Sequence, residues 1–419
     1  MSLAEGVSGS IRSKPYATGV ITSNAQAVSA TDPGATGGQI LRRVSSSLKL
    51  AKDTYQSAEI RTDRQIQDFR HGIKRVTGSL SGEFSPKTYF ELLEAAFRGT
   101  KAAALSLSNT DFTSIVSDNA TSSFTVTSGN PVTSGLRIGD IFRPAGLAAT
   151  ANNATNFLIT GFATVNNRQI NVSPPPVTDA TPDATFTLTS NGATGKSIFV
   201  PSSTFVPRKF AFEIHNSDLD VSRLFTECRI GGFTLQLPAT GLGTIELPVM
   251  GRDMETYSAG TAPFFTAPAA GTTTGLFAAV NGLLRVGGVT VGVVTGLNVQ
   301  MDLNPESNAV VGQNFVPEIF LGRANVTGQV TAFFEDLTLI NQFKNETEVS
   351  ILAYLTTTSV QPAPALSIYL PRIKWGDGNV ADQGEGGQSI TLPFQALKAD
   401  GTVPGDEATT IRIVDTEAV

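Results

Sequence analysis

The chain has 419 residues, a length that predicts two to four domains rather than one core. It is acidic, with a formal net charge of −6, so it is not expected to grip nucleic acid, which takes clustered lysines and arginines. Its one cysteine, Cys228, excludes an intramolecular disulfide and fits assembly in a reducing cytoplasm. The sequence has neither a long apolar run nor an apolar N-terminal segment, so we expect no transmembrane helix and no signal peptide.

The N-terminal segment is small and polar, with Gly, Ser, Thr and Ala dominating. We expect residues 1–37 to form an extended arm that is ordered only where a partner holds it. A floppy terminus is the alternative explanation of the same composition.

An internal repeat with an offset of 250 residues is the most informative feature of the sequence. In both copies, apolar residues alternate with small polar ones, which predicts a half-buried strand, and a helix follows each strand. Chance similarity between two amphipathic segments is the alternative. The identical pairs are Gly72/Gly322, Val76/Val326, Thr77/Thr327, Gly78/Gly328, Phe84/Phe334 and Thr88/Thr338.

The first predicted helix opens at Ser85-Pro86, with Ser as the cap and Pro at the first helical position, and ends at Gly99. The second runs from about Asp336. Its predicted buried residues are Leu339, Ile340 and Phe343.

Two further matches follow the helices in the same order. Arg229-Ile230 matches Arg372-Ile373 at an offset of 143, and residues 245–249 match residues 390–394 at an offset of 145. The drop in offset means that the first repeat carries about a hundred extra residues before its second half.

The extra residues are rich in Thr, Asn, Ala and Ser, with few charges. They predict a small all-β domain inserted in a solvent-facing loop, and a Pro- and Thr-rich stretch later in the chain predicts a linker. The predicted strands of the insert are 124–127, 138–143, 157–159, 169–172 and 185–188. The predicted organisation is an arm at 1–37, a first repeat at 38–104 and 197–260, the insert at 105–196, a linker at 261–282 and a second repeat at 283–419.

No catalytic or metal-binding motif is present, so we do not expect an enzyme or a cofactor. His71 and His215 are far apart in the sequence, and Cys228 is expected to be a buried thiol. The Gly-rich run 376–387 carries three carboxylates that could bind calcium, although a flexible hairpin loop explains it better. These carboxylates are Asp377, Asp382 and Glu385.

The strand-helix unit, with Val-Thr-Gly at 76–78 and Phe84 before a Thr-led helix, resembles tail tube proteins of long non-contractile-tailed bacteriophages (siphovirus type). The closing pattern, residues 389–397 followed by 410–413, resembles the same family. The resemblance spans both repeats and is to a form with a duplicated tube domain. It implies a mainly β fold with two tandem tail-tube β-sandwich or barrel domains, each with one α-helix, plus the small inserted β domain.

The resemblance also implies a structural role. Three copies would form a pseudo-hexameric ring, inner strands would pair across copies, and stacked rings would form a hollow conduit for the genome in the virion tail. Assembly would take place in the host bacterial cytoplasm. The implied partners are other copies of the chain, the tape measure protein, the tail terminator and tail-tip or baseplate proteins, with no membrane. Double-stranded DNA would pass through the lumen without specific binding. Alternatives are a baseplate hub or distal tail protein of the same fold, and an exported β-rich adhesin.

The loop at residues 53–70 is the densest charged stretch of the chain, and the resemblance implies that it reaches the neighbouring ring. A solvated hairpin is the alternative. The candidate inter-ring residues are Arg61, Asp63, Arg64, Asp68 and Arg70.

We also expect the lumen to be net acidic and lined by strands of both repeats, because repulsion keeps DNA off the wall. The candidates are Glu246, Asp253 and Glu255. The alternative is that these carboxylates merely keep the outer surface soluble.

Overall fold

The computed structural model describes residues 6–17, 33–60, 62–163, 165–192, 194–291, 294–378, 380–381 and 387–418. Within these ranges the protein is mainly β, as the resemblance implied, with 31 strands and two α-helices.

The strands are numbered in chain order. Those of the first repeat before the insert are β1 Gly9–Pro15, β2 Gln39–Leu41, β3 Ser45–Ser46, β4 Lys49–Gln56, β5 Phe69–Glu83 and, after helix α1 Phe90–Phe97, β6 Ala102–Ala103. Those of the insert are β7 Ser106–Ser108, β8 Ile115–Asp118, β9 Ser123–Val126, β10 Ile141–Ala145, β11 Phe157–Ala163, β12 Gln169–Ser173, β13 Asp179–Asp183 and β14 Thr187–Ser190.

The rest of the first repeat contains β15 Lys196–Phe199, β16 Phe210–Asn216, β17 Val221–Ile230, β18 Gly232–Pro238, β19 Thr244–Gly251 and β20 Asp253–Ser258. The second repeat begins with β21 Gly282–Val286, β22 Val289–Thr290, β23 Val294–Asp302, β24 Glu306–Ser307, β25 Ile319–Phe320, β26 Asn325–Phe333 and helix α2 Thr338–Lys344. It ends with β27 Val349–Thr356, β28 Ala365–Trp375, β29 Val380–Ala381, β30 Ser389–Leu397 and β31 Arg412–Asp415.

One antiparallel run of eight strands passes through both repeats, and we call it the shared sheet. Its order is β4-β5-β19-β18-β23-β26-β30-β29. Apolar side chains alternate along its strands, as in Leu80, Leu247 and Val330, and they face the core. The polar residues between them form the opposite face of the sheet.

Each repeat has a second sheet behind the shared sheet. In the first repeat its order is β2-β1-β16-β17-β20. In the second it is β22-β21-β27-β28-β31-β15-β6, which includes two strands that flank the insert in sequence. The last residues of β17 and β28 cross over and pair with β19 and β30, so each repeat is a sandwich closed along one side.

The two repeats share a register as well as a sequence pattern. Gly78 lies opposite Val249 in β5 and β19, and Gly328 lies opposite Phe394 in β26 and β30. The second sheets also share an irregularity. The pairing of β16 with β17 shifts between residues 210 and 212, and the pairing of β27 with β28 shifts between residues 349 and 351. The sequence repeat is therefore a repeat of the fold.

The register corrects one sequence match. Ile230 lies opposite Val249 and Trp375 lies opposite Phe394, so Arg229-Ile230 corresponds to Lys374-Trp375 and not to Arg372-Ile373. A slip of two residues keeps every side chain on the same face of a strand. Hydrophobic alternation alone therefore could not detect the error.

The two helices differ in burial. All but one residue of α1 are buried, whereas none of α2 is, and Phe343 is 37% exposed. The prediction that Phe343 lies inside was therefore wrong. Residues 197–209 pack against α1, and the Arg208 guanidinium contacts Glu94 of this helix at 2.8 Å. The second repeat has only residues 345–348 between α2 and the next strand, so α2 lacks such a cover.

The start of α1 also differs from the prediction. The helix begins at Phe90 without a side-chain cap, after a turn at residues 86–89 in which the Ser85 and Thr88 hydroxyls lie 2.6 Å apart. It ends at Phe97, and Arg98 takes the left-handed conformation one residue before the expected Gly99.

The described part of the expected arm is a strand. β1 pairs with β16 on one side and β2 on the other, in the place that β21 takes beside β27 in the second repeat. Residues 9–15 are thus held by the chain itself, whereas we expected an arm that is ordered only where a partner holds it, and Ile11 is 1% exposed. Residues 1–5 and 18–32 lie outside the described residues.

The expected linker is packed on the first repeat rather than free. Phe265 and Phe277 are fully buried, and the ring of Phe277 lies 5.4 Å from that of Phe84.

The insert has its own sheet, in the order β13-β8-β9-β12-β11-β10-β14-β7, around its own apolar cluster. It docks on the second repeat, because Ile138, Ile141 and Leu158 pack against Tyr369 and neighbouring apolar residues there. At the same contact the buried carboxylate of Asp140 lies 2.6 Å from the guanidinium of Arg412.

Candidate assembly interface

The two repeats are joined edge to edge inside one chain. β18 of the first repeat pairs with β23 of the second over seven residues, from Gly232 opposite Asp302 to Pro238 opposite Gly296. Leu235 and Val299 lie opposite each other within this pair and are both buried. The backbone ladder therefore continues from one repeat into the next without a gap.

The outer edges of the shared sheet are the counterparts of the two strands joined in its middle. Because β4 pairs with β5 as β23 pairs with β26, β4 corresponds to β23. By the same comparison, β29 corresponds to β18. Among the described strands, β4 pairs only with β5 and β29 only with β30. Each edge therefore has backbone N–H and C=O groups open to a further strand.

The face of the shared sheet opposite the core is polar and carries few charged side chains. It carries hydroxyl and amide side chains along all of its long strands, among them Ser79, Thr327 and Gln395. Glu246 lies on this face and is exposed, opposite Thr234 on the neighbouring strand.

The other two predicted lumen residues do not lie on this face. Asp253 is 4% exposed, and its carboxylate lies 2.6 Å from the ammonium of Lys74. Glu255 is in β20, which belongs to the second sheet of the first repeat, and accepts a hydrogen bond from the Tyr257 hydroxyl at 2.6 Å. Burial, with help from this carboxylate, raises the pKa of Tyr257 above its usual range. Nothing in the local sequence distinguishes these carboxylates from Glu246.

A family model described as phage tail tube protein matches residues 17–396. The chain belongs to the phage tail tube protein family. The match covers both repeats and the insert and confirms the resemblance. No curated protein matches the chain significantly. As a member of this family, the protein is a structural component of the bacteriophage tail and self-assembles into a tube with other tail proteins.

The charged segment 53–70 contains the exposed loop that joins the edge strand β4 to β5. Asp68 and Arg70 form an exposed ion pair at 2.8 Å, and the tip places Asp63 and Arg64 in a tight turn, with Arg64 at a φ of 56°. Arg61 lies outside the described residues. Of the predicted set, Asp68 and Arg70 are thus seen in contact with each other.

The hairpin also presents apolar side chains that our sequence analysis did not single out. Ile60 is fully exposed, and Ile66 and Phe69 are 65% and 57% exposed. Their occurrence within a charged segment could have indicated an interaction site in the sequence, because exposed apolar side chains that lie together often mark one.

A buried charge network joins the repeats, and the sequence analysis missed it. The ammonium of Lys209 lies 2.9 Å from the carboxylate of Glu227 and 3.0 Å from that of Glu318 in the other repeat. Arg229 contacts Glu318 at 3.2 Å, and Arg252 contacts Glu227 at 2.7 Å. No local pattern links residues so distant in the chain.

Of the three candidate calcium-binding carboxylates, the structure describes Asp377. Asp377 accepts a hydrogen bond from the backbone of Gly378 at 2.7 Å, and Asp382 and Glu385 lie outside the described residues. The part of the chain that the structure describes holds no group of three metal-ligating side chains.

The histidines and the cysteine are separate side chains with ordinary surroundings. The His71 ring lies edge-on to Phe69, and His215 is buried beside the Ser222 hydroxyl. Cys228 is buried, and burial raises the pKa of its thiol above the usual range. Among the described helices, none is both long and apolar enough to cross a membrane.

Proposed function

We propose that three copies of the protein close a ring of six repeats and that such rings stack into the hollow tail tube through which the genome passes. The observation that carries the proposal is the pairing of β18 with β23 inside the chain, together with the two corresponding edges that are open. The same contact between copies joins β29 of one copy to β4 of the next. A head-to-tail contact of this kind forms a ring when its rotation closes.

The internal pairing supports a specific register between copies. Leu235 lies opposite Val299 inside the chain, and their counterparts are Val380 and Leu48. Val380 of one copy would therefore lie opposite Leu48 of the next. The shared sheets of the three copies would then join into one closed barrel without free edges.

The hairpin at residues 53–70 is our candidate for contact between stacked rings. Single exposed ion pairs are weak, but repetition along a tube adds many small terms. The exposed Ile60 and Ile66 add apolar area to the contact. The proposed charged residues are Arg61, Asp63, Arg64, Asp68 and Arg70.

The polar face of the shared sheet is our candidate for the lumen wall. It carries few cations, so passing DNA would release few counterions and bind weakly. Glu246 is the proposed acidic residue of this wall, and Glu83 and Asp302 lie on the same face.

The other parts of the proposal concern the setting of the tube. We place the protein in a siphovirus-type tail assembled in the host bacterial cytoplasm, beside the tape measure protein, the tail terminator and tail-tip or baseplate proteins. The role is structural and not enzymatic. We also propose the division into a first repeat at 38–104 and 197–260, an exterior insert at 105–196 and a second repeat at 283–419, with residues 9–15 added to the first repeat.

Electron microscopy of the purified protein tests this proposal. We expect long tubes whose cross-section shows three-fold symmetry with six similar units. Single rings that never stack would favour a baseplate hub or distal tail protein of the same fold. Monomers that form no ring at any concentration would overturn the proposal and leave the adhesin alternative.

A further inference from the structure

We infer that charges at the two open edges, and at the second sheets behind them, select the partner between copies. They allow the first repeat of one copy to bind only the second repeat of the next. The inference rests on the proposed ring and adds which side chains select the partner.

The register of the internal contact can be carried over to the contact between copies. Inside the chain, Gly232 lies opposite Asp302, and the N–H of Leu303 donates to the carbonyl of Gly231 at 2.9 Å. The counterparts between copies are Asp377 opposite Ala51, with the N–H of Lys52 donating to the carbonyl of Gly376.

The edge strands carry opposite charges at these positions. Lys49 and Lys52 are both exposed on β4, and Asp377 is exposed beside β29. Lys49 lies two residues from Ala51, on the same face and diagonal to Asp377, where a long side chain reaches a cross-strand partner. The corresponding position to Lys49 in the internal contact is the neutral Gln300, opposite Thr234. The charges are thus specific to the edges left for a second copy.

These edge charges disfavour the wrong pairings. Two β4 edges would bring Lys49 and Lys52 of one copy against the same residues of another, and two β29 edges would bring together two copies of Asp377. Like charges on adjoining strands are destabilising, and lysines on an edge strand are a known protection against self-pairing.

At the second sheet of each repeat, behind these edges, an ion pair occupies the same two positions, but the positive and negative residues are exchanged between the repeats. Lys209 and Glu227 pair in the first repeat, and Glu348 and Arg372 form a pair at the corresponding positions of the second, where Lys374 also lies 3.6 Å from Glu348. The correspondence follows from the repeated pairing shift in the adjoining strands. The same surface position is therefore basic in one repeat and acidic in the other.

The inversion decides where the segment between β23 and β26 can dock. This segment places Glu318 against Lys209 and Arg229 inside the chain. On the second repeat of another copy, Glu318 would meet Glu348 in the place of Lys209, and Lys374 in the place of Arg229. Building repulsion against the wrong partner is a general route to specificity. Each contact around the ring then alternates between repeats, which a ring of three two-repeat chains requires.

Charge exchange at the edges tests the inference. We expect the double variant K49E/K52E, and separately D377K, to raise the protein concentration needed for tube assembly by about tenfold in low salt. The combination of all three substitutions is expected to restore assembly to near the unmodified level. R223E reverses an exposed arginine of β17, in the second sheet of the first repeat and away from both edges, and is the matched control.

Circular dichroism of each variant separates loss of fold from loss of assembly. Edge variants that assemble like R223E, or a combined variant that is no better than its parents, would overturn the inference. Failure of the unmodified protein to form rings would instead overturn the proposed function.

The inverted pair has a test of its own. The variant E348K/R372E gives the second repeat the polarity of the first, so we expect it to accept the wrong partner and to yield irregular or open assemblies in electron micrographs. Uniform tubes from this variant would contradict the selection by the faces.

Discussion

At the scale of single residues, the contact between the insert and the second repeat includes a buried ion pair. Asp140 and Arg412 are 1% and 4% exposed, and the Asp140 carboxylate also accepts hydrogen bonds from Asn191 and the backbone of Arg137. We predict that D140N lowers the free energy of unfolding by about 3 kcal/mol, because it leaves a buried guanidinium without its counter-charge. Urea denaturation measures the change.

The exposed pair of Asp68 and Arg70 provides the control for D140N. Both partners are largely solvated, with side-chain exposures of 51% and 80%, so D68N is expected to change the free energy of unfolding by less than about 1 kcal/mol. Equal effects of the two substitutions would show that burial does not decide the strength of the contact.

A second prediction at this scale concerns pH. Burial, opposed by hydrogen bonds from the backbone, raises the pKa of Asp415 from 3.8 to about 6. A carboxyl group with a raised pKa binds its proton more tightly in the folded state, so its contribution to stability is lost as pH rises from about 4 to about 6. We predict that the stability of the unmodified protein falls over this window relative to D415N, measured by urea denaturation. A constant difference across the window would contradict the raised pKa.

At the scale of elements, much of the fold could be predicted from local pattern. Alternation at Val76, Leu80 and Phe84 predicted strand β5, and strands β9, β11 and β12 of the insert were found close to their predicted bounds. Pairing between distant segments could not be predicted. The two-sided pairing of β1, the burial of Asp253 by Lys74 and the join of β18 to β23 all depend on residues far away in the chain. The same holds for the candidate interface. The charged hairpin could be predicted from the sequence, whereas the open edges β4 and β29 could not, because they are defined by pairing between distant strands.

The insert provides a prediction at the element scale. We expect deletion of residues 105–194, with a short linker, to leave ring formation intact, because the shared sheet contains none of its strands. The midpoint of thermal unfolding should fall, since the deletion exposes Tyr354, Tyr369 and Arg412 on the second repeat. Loss of folding would show that the insert is part of the core, and electron microscopy with calorimetry distinguishes the outcomes.

The hairpin provides another. We predict that R61E/R64E forms rings that do not stack, because the substitutions invert the charge at the hairpin tip. High salt should weaken stacking of the unmodified protein for the same reason. Normal tubes from the variant in electron micrographs would count against the inter-ring role.

At the scale of the whole molecule, a duplicated chain gains a built-in template for its own assembly. In the proposed ring, the internal contact would hold one of every two repeat-to-repeat junctions by covalent connection, so only the junction between copies would depend on concentration. The central claim is that this second junction reproduces the first.

Disulfide cross-linking tests that claim most directly. In a C228S background, L48C and V380C would place two thiols opposite each other on adjoining edges, within the distance that a disulfide spans. We predict an oxidised ladder of dimer and trimer on a denaturing gel that ends at three chains. The control K49C/V380C points one thiol to the other face of the sheet and should not cross-link. Absence of cross-linking in the first variant, equal cross-linking in both, or a ladder that continues beyond three chains would contradict the account.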